Sequence, residues 1–397
     1  MRILHIMPHY YPAVRYGGPI RSVQGLAAAT AALGHDVHVY TTNVDGTGVS
    51  DRPTDAPVDL DGVKVWYFPS GCGRKIFRSP KMGRALDETI SSFDVVHIHY
   101  VWVWTTIRAA AAARRRAVPY VLAPRGMLVA DLIRRRSRLA KQAWLALFGM
   151  RDVAAAAAIH VTSDVEAAEF NGLGLLTRRV VVIPNGVDPP SDVVEGTDAH
   201  VGEASDDAGR PYLLFLGRIS WKKGLDRLIR AFPAVEGAEL VIAGYDENGH
   251  QAVVRRLAAD CGISNRIRFV GPVEGQEKQR LIRDASCLVL PSYNENFGMV
   301  VIEAMAAGRP VVVTAEVGLA NVVEQSGSGI VAGGDPDTLA SALNYILRNP
   351  AEARAMGAAG RRVAQERYSW TAVAREAEQL YEECRASSRQ CLVSEDS

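Results

Sequence analysis

The chain has 397 residues, which at about 100–200 residues per domain predicts two or three domains. Hydrophobic residues make up 48% and charged residues 22%, which excludes a disordered, collagen-like or small disulfide-rich protein. The 45 basic and 44 acidic residues give a net charge of +1, so no overall positive field attracts nucleic acid, and we expect no nucleic-acid partner. The five cysteines form no Cys-x-x-Cys pair, which favours reduced thiols over a zinc site or a disulfide framework.

The N-terminal segment, MRILHIMPHYYP, lacks the pattern of a signal peptide, because its apolar run is short and is soon interrupted by Pro8 and Pro12. No stretch of about 20 apolar residues occurs, so no membrane-spanning helix is expected. Together with the reduced thiols, these features predict a cytoplasmic protein.

Strands alternate with helical segments along the first half of the chain. The first strand is predicted over residues 3–7, and a loop rich in Pro, Tyr and Gly leads to a helix over 19–33 that ends at Gly34. Further strands are predicted over residues 37–40, 63–67, 95–98, 120–123, 159–161 and 180–183. This alternation is typical of βαβ units around a parallel sheet.

The alternation stops over residues 188–210, an acidic and polar stretch with the composition of a linker. It resumes with strands predicted over residues 212–216, 240–243, 267–270, 287–290 and 311–313. The chain is therefore predicted to be an α/β protein with two doubly wound domains, residues 1–190 and 191–369, followed by a helix over 370–385 and a flexible tail over 386–397. Because ligands bind at the carboxyl ends of parallel strands, the cleft between two such domains is the expected active site.

The loop after the first strand carries Gly17 and Gly18 and leads into a helix. Two glycines permit a close approach of the backbone, and a helix N-terminus offers free N–H groups to an anion. The pattern lacks the Gly-x-Gly-x-x-Gly dinucleotide fingerprint. These residues fit two interpretations, a phosphate-binding loop and a plain strand-to-helix turn.

A basic loop, GRISWKKG over residues 217–224, follows a predicted strand and precedes a helix. Arg218 and Lys223 at the carboxyl end of a strand suit a diphosphate, because a guanidinium fork and an ammonium point charge both pair with phosphate oxygens. The alternative is a pair of solvated cations on an exposed loop.

The segment SYNENFGMVVIEAM, residues 292–305, holds two glutamates eight positions apart. Eight positions is slightly over two helical turns, so Glu303 lies on nearly the same face as the helix entrance. A carboxylate on an otherwise apolar helix is expected to be paired or to bind a ligand. Two carboxylates and a helix N-terminus suit a polyhydroxylated ligand with phosphates, whereas the alternatives are an ion pair of Glu303 with a structural arginine and a helix cap by Glu295.

Four motifs in this order and spacing resemble glycosyltransferase family 4, and the resemblance covers nearly the whole chain. They are YGGPIRSV, IPNGVD at 183–188, GRISWKKG and ENFGMVVIEAMAAGRPVVVT. The family has two Rossmann-like domains in the GT-B fold, and its members are retaining enzymes. The resemblance implies transfer of a sugar from a UDP- or GDP-linked donor to a glycan or lipid-linked acceptor, in cell-surface or exopolysaccharide synthesis.

The resemblance also implies roles by position. Residues 1–190 form the acceptor-side domain, residues 191–369 form the donor domain, and the helix over 370–385 packs back toward the first. Arg218 and Lys223 hold the donor diphosphate, Glu303 accepts hydrogen bonds from the ribose hydroxyls, and Glu295 faces the sugar hydroxyls. The remaining expected donor-binding residues are Gly17, Gly18, Asn296, Phe297, Gly298 and Met299.

Arg218, Lys223 and Glu295 are the expected catalytic residues, because charge develops on the leaving diphosphate. The family implies a same-face mechanism, in which a donor phosphate oxygen accepts the proton of the acceptor hydroxyl. Two alternatives are a sugar-nucleotide epimerase of the same build, which needs no acceptor, and a non-catalytic sugar-nucleotide-binding subunit.

Two further candidates lie in the first domain. His97 and His99 point to the same side of a predicted strand, with His99 nearer the cleft, and the alternative is a buried structural pair. Arg125, in APRGML, occupies a place where many relatives carry histidine. This departure makes Arg125 a candidate for binding an anionic group on the donor or the acceptor.

No metal or other cofactor is expected. Asp335-Pro336-Asp337 matches an Asp-x-Asp pattern, but Asp335 as a helix N-cap with Pro336 at the first helical position explains it. Separately, residues 108–151 are rich in arginine, including Arg134–Arg136, and Trp144 and Phe148 lie near the end of the same stretch. Such a stretch suits an anionic membrane surface, and the alternative is a solvated helix face.

Overall fold

The computed structural model describes residues 1–13, 18–129, 133, 138–189 and 211–395. The chain divides into two compact units, one formed by Met1–Gly186 with Trp370–Ser397 and the other by Val187–Ser369. The sequence predicts this division at residue 190, within a linker over residues 188–210. Residues 190–210 lie outside the described part of the chain.

The first unit is built on an eight-stranded sheet with the order β10-β9-β8-β7-β1-β2-β6-β5. All its neighbouring strands pair in parallel except β5, which is antiparallel to β6. A separate two-stranded ribbon pairs β3 with β4. The strands are β1 Arg2–Ile6, β2 Asp36–Thr42, β3 Val44–Asp45, β4 Gly48–Val49, β5 Val58–Leu60, β6 Val63–Phe68, β7 Val95–His99, β8 Tyr120–Ala123, β9 Ala158–Val161 and β10 Val180–Val182.

The helices of the first unit cover the faces of this sheet, as expected for parallel strands that are buried on both sides. They begin at recognisable signals: Ser79 accepts a hydrogen bond from the Met82 N–H ahead of Pro80, and Ser163 does the same for Glu166. The α-helices are Gly18–Ala32, Pro80–Thr89, Trp104–Arg115, Arg138–Trp144, Met150–Ala155 and Asp164–Asn171, with a π-helical stretch at Leu145–Gly149.

The second unit has a six-stranded, fully parallel sheet with the order β13-β12-β11-β14-β15-β16. Three of its central strands are buried throughout, and their residues are apolar except for Thr314. The strands are β11 Tyr212–Leu216, β12 Glu239–Ala243, β13 Ile267–Gly271, β14 Cys287–Leu290, β15 Val311–Thr314 and β16 Gly329–Ala332. The α-helices are Leu225–Ala231, His250–Asp260, Gly275–Asp284, Met299–Ala306, Ala320–Ser326, Pro336–Arg348 and Pro350–Arg367.

The last helix, Trp370–Glu395, belongs to the first unit and packs on the helix Gly18–Ala32. Its contact is close, because a Cβ added to Gly25 would lie 2.2 Å from a ring carbon of Trp370. The helix continues beyond Arg385, where the sequence predicts its end, and reaches Glu395. The prediction of a tail that begins at residue 386 is therefore wrong for residues 386–395. Polar composition suggested a tail, but the segment contains nothing that ends a helix. None of the helices in the described part of the chain is long and apolar enough to span a bilayer.

Candidate active site

The basic loop after β11 lies against two neighbouring loops at the carboxyl edge of the second sheet. Gly224 has φ 65°, and a Cβ there would lie 1.9 Å from the Pro291 carbonyl oxygen, in the loop after β14. A Cβ on Gly244, after β12, would lie 1.8 Å from the Gly217 carbonyl oxygen. The two glycines therefore permit backbone contacts that no larger residue allows, and they fix the loop that carries Lys223.

Lys223 and Glu295 form an ion pair, with 17% and 20% of their side-chain surfaces exposed. Glu295 is held by its backbone, which donates to the Glu316 carbonyl at 3.1 Å and accepts from the Gly318 N–H at 2.7 Å. The N-cap of the following helix is Gly298, so Glu295 is not the helix cap that the sequence left open as an alternative. Arg218 is more open, with 60% of its side chain exposed and an ion pair to Glu247 at 2.8 Å.

The helix Met299–Ala306 begins beside this pair. Gly298 is its N-cap with φ 96° and, as a glycine, has no side chain to cap the first turn. Phe297 is buried, with 4% of its surface exposed, and Met299 is partly buried. The dipole of this helix therefore adds a positive electrostatic end to the Lys223 side of the site.

Glu303, inside the same helix, pairs with Lys278 at 2.6 Å rather than with the arginine that the sequence left open. The pair is largely buried, with 21% and 18% of the side chains exposed. Only one carboxylate oxygen is used, because the Glu303 Oε2 atom is buried and has no hydrogen-bond partner in the described structure. A buried acceptor of this kind is costly unless a ligand donates to it.

Sequence reasoning missed Lys278, on the helix Gly275–Asp284, because no local pattern links it to Glu303. It also missed Arg227, which pairs with Glu316 at 3.0 Å and lies 3.8 Å from the Tyr293 ring centroid. The Tyr293 hydroxyl in turn donates to Asp226 at 2.8 Å. These contacts tie the loop after β14 to the helix Leu225–Ala231 and hold Glu295 in place.

In the first unit, four buried histidines form a hydrogen-bonded cluster near the carboxyl edge of the sheet. His160 Nε2 lies 2.8 Å from the Ile183 carbonyl, so it donates, and His160 Nδ1 accepts from His97 Nε2 at 3.1 Å. His97 Nδ1 then accepts from the Tyr381 hydroxyl at 2.8 Å. His99 Nε2 faces His5 Nδ1 at 3.0 Å.

Burial lowers the pKa of His5 and of His160 to about 3, and the Arg125 cation acts in the same direction. Burial, together with His97 and Arg125, holds the pKa of His99 well below its usual value. The cluster is therefore neutral. His99 has no exposed surface, and its Nδ1 atom lies 3.3–3.4 Å from two nitrogens of the Arg125 guanidinium.

His5, His97 and His99 lie close enough together to share a metal ion. Hydrogen bonds within the cluster already use most of their ring nitrogens, and the neighbouring guanidinium repels a cation. The arrangement therefore fits a hydrogen-bonded core better than a metal centre. At the Asp-x-Asp sequence, Asp335 accepts from the Thr338 N–H at 3.0 Å and Pro336 opens the helix, which confirms the predicted cap.

Two sets of predicted residues lie at or beyond the edge of the described structure. Gly18 is the first residue of the helix Gly18–Ala32, whereas Gly17 lies outside the described residues. Arg134–Arg136 also lie outside them. Lys223, Glu295 and the start of the helix Met299–Ala306 are brought together, while Glu303 lies further along that helix.

The chain matches two family models, Glycosyl transferases group 1 over residues 199–363 and Glycosyl transferase 4-like domain over residues 17–186. The D-inositol 3-phosphate glycosyltransferase of Xylanimonas cellulosilytica is 31% identical over 383 residues, which cover 89% of this chain and 88% of that protein. Sucrose-phosphate synthase from Thermosynechococcus elongatus has a TM-score of 0.75 and 24% identity over 97% of this chain and 99% of its own. HepE of Anabaena, in complex with UDP-glucose, has a TM-score of 0.73 and 18% identity over 96% of this chain and 100% of its own.

The two α/β units with parallel sheets, together with these structural likenesses, define the GT-B fold of a glycosyltransferase. The chain belongs to the group 1 glycosyltransferases, so the family and the fold predicted from the motifs are confirmed.

Proposed function

We propose that this glycosyltransferase takes a sugar from a nucleotide-diphosphate donor and passes it, with retention of configuration, to a glycan or lipid-linked acceptor in cell-surface or exopolysaccharide synthesis. The observation that carries the proposal is the cluster at the carboxyl edge of the second sheet: Lys223 paired with Glu295, next to a helix N-terminus that begins at Gly298. The UDP-glucose complex of HepE makes UDP-glucose the first donor to test.

The chemistry depends on where charge develops. As the bond to the sugar breaks, negative charge grows on the diphosphate, and Lys223, Arg218 and the first turn of the helix Met299–Ala306 stabilise it. Lys223 then exchanges part of its contact with Glu295 for the phosphate, which frees the Glu295 carboxylate to accept from a sugar hydroxyl. No metal is needed in this scheme, because the cations and the helix supply the positive charge.

The test is to incubate the enzyme with UDP-glucose and candidate acceptors and to read the anomeric configuration of the product by NMR. We expect retention, and a product of inverted configuration contradicts the proposed mechanism. Donor binding is measured separately by thermal shift, where a donor at 100 times its dissociation constant stabilises the protein by about 2.7 kcal/mol. A sugar released in altered form without any acceptor points instead to an epimerase.

We also propose that the acceptor is reached at an anionic membrane surface. Leu147, Phe148 and Met150 expose 70%, 40% and 55% of their surfaces, and Arg151 beside them is exposed. The Nζ atom of Lys141, in the preceding helix Arg138–Trp144, lies 5.7 Å from the Trp102 ring centroid. Apolar side chains flanked by cations suit the boundary between headgroups and acyl chains.

Co-sedimentation with vesicles of anionic phospholipid tests this surface. We expect binding at low salt, release at high salt, and loss of binding when Leu147 and Phe148 are both changed to Ser. Leu176→Ser is the matched control, since Leu176 is 81% exposed elsewhere in the same unit. Wild-type protein that ignores anionic vesicles at low salt refutes the membrane proposal and leaves the sugar-transfer proposal standing.

A further inference from the structure

Arg125 is a cation for which the described part of the chain provides no carboxylate within ion-pair distance. Its guanidinium donates to Asn185 Oδ1 at 2.9 Å and to His99 Nδ1 at 3.3–3.4 Å, both neutral acceptors. Burial lowers the pKa of Arg125, and the charge of Glu166 offsets this only in part. A partly buried charge with neutral partners costs stability, so the position calls for a functional explanation.

The backbone around Arg125 is built to hold this geometry. Arg125 has φ 53°, the left-handed region that non-glycine residues adopt at a cost of about 1 kcal/mol or more. The buried Glu166 carboxylate fixes the loop, because it accepts from the Gly126 N–H at 2.6 Å and from the Thr162 N–H at 2.7 Å. With its oxygens engaged there, Glu166 orients the loop instead of pairing with the guanidinium.

The histidine cluster completes the arrangement. Since His99 is neutral and its Nδ1 accepts from Arg125, its Nε2 carries the hydrogen and donates to His5. His99 is thus a positioning residue that holds one edge of the guanidinium, while Asn185 holds one nitrogen of the other edge. An arginine has five N–H groups, and these two acceptors leave some of them unused. Arg125 is only partly buried.

We propose that Arg125 binds an anionic group, a phosphate or a carboxylate, on the acceptor. The inference rests on the proposed function and names the class of acceptor. A planar fork with free N–H groups at the carboxyl edge of a parallel sheet matches the oxygens of such a group. We assign the group to the acceptor because the second unit already supplies Arg218, Lys223 and a helix N-terminus for the donor diphosphate.

The first experiment measures binding without catalysis. The enzyme is saturated with UDP, which occupies the diphosphate site, and inorganic phosphate is then titrated by calorimetry. We expect phosphate to bind the wild type and to bind Arg125→Gln about 10- to 100-fold more weakly, with Arg125→Lys between them. Arg84→Gln, at an exposed arginine of the same unit, is the control and binds as the wild type does. Absence of phosphate binding to the UDP-saturated wild type, or equal binding by Arg125→Gln, overturns the proposal.

The second experiment uses matched acceptors with and without the charge: glucose 6-phosphate against glucose, and glucuronate against glucose. With UDP-glucose as donor, we expect the wild type to prefer the charged member of at least one pair. Arg125→Gln raises KM for the charged acceptor and leaves the donor KM unchanged. A variant that changes only the donor KM, or a wild type that prefers glucose over both charged acceptors, overturns the assignment.

The two proposals fail in different ways. If UDP does not bind at all, the proposed function fails, while phosphate binding at Arg125 is still measured directly. If UDP binds and sugar is transferred but Arg125→Gln retains the preference of the wild type, only the inference about the acceptor fails. A melting temperature of Arg125→Gln close to that of the wild type shows that the loop remains folded.

Discussion

The unpartnered oxygen of Glu303 leads to a quantitative prediction for nucleotide binding. Lys278 holds Oε1 at 2.6 Å, while Oε2 is buried without a partner, so a ligand that donates to Oε2 gains a hydrogen bond to a charged group. Such a bond contributes about 1.5–3 kcal/mol. If ribose hydroxyls supply it, Glu303→Ala weakens UDP binding by about 10- to 150-fold.

The assay compares UDP with 2′,3′-dideoxy-UDP by calorimetry in the wild type and in Glu303→Ala. We expect the wild type to bind UDP more tightly than the dideoxy analogue, and the difference to vanish in the variant, because both changes remove the same contact. Glu303→Ala leaves the largely buried Lys278 ammonium without its partner, so we expect the free energy of unfolding to fall by about 1–3 kcal/mol. Glu277→Ala, on the exposed face of the Lys278 helix, is the control.

The reasoning is refuted if Glu303→Ala weakens UDP and the dideoxy analogue by the same factor. Glu303 would then act by placing the helix Met299–Ala306, and the ribose would bind elsewhere.

Further predictions concern catalysis and stability. Lys223→Ala cuts turnover by about 10²–10³ in a donor-saturated assay, while Lys222→Ala stays near wild type; equal effects contradict the assignment. Gly224→Ala lowers the urea midpoint and the activity together, because its Cβ would lie 1.9 Å from the Pro291 oxygen; an unchanged midpoint contradicts this. Activity survives EDTA, and complete loss that Mn²⁺ restores refutes metal independence. Because burial lowers the pKa of His5 and His160 to about 3, the unfolded state binds more protons below pH 6.5. The unfolding free energy therefore falls as the pH drops from 6.5, by up to about 1.4 kcal/mol per pH unit for each histidine, and a flat urea profile between pH 7 and pH 5 argues against neutral histidines.

Local patterns in the sequence determined the strands, the family and the residues that carry charge. Runs of apolar residues such as those of β11 and β14 predict buried parallel strands without knowledge of their neighbours. The motifs placed Lys223, Glu295 and Glu303 on the right elements for the same reason: a loop after a strand and the start of a helix are local features. The C-terminal helix was predicted too short, because its polar end gives no signal that distinguishes a helix from a tail.

The pairings were decided only by the tertiary structure, because they join residues far apart in the chain. Lys278 meets Glu303 only because two helices of the second unit pack side by side. His5 lies opposite His97 because β1 pairs with β7, and that register cannot be read from either strand alone. The partners of Arg125 have the same origin. The packing brings His99 and Asn185 to the guanidinium, whereas no carboxylate of the described residues lies within ion-pair distance of it. The sequence thus determined which charged groups the protein has, and the tertiary packing decided which of them have an oppositely charged partner among the described residues.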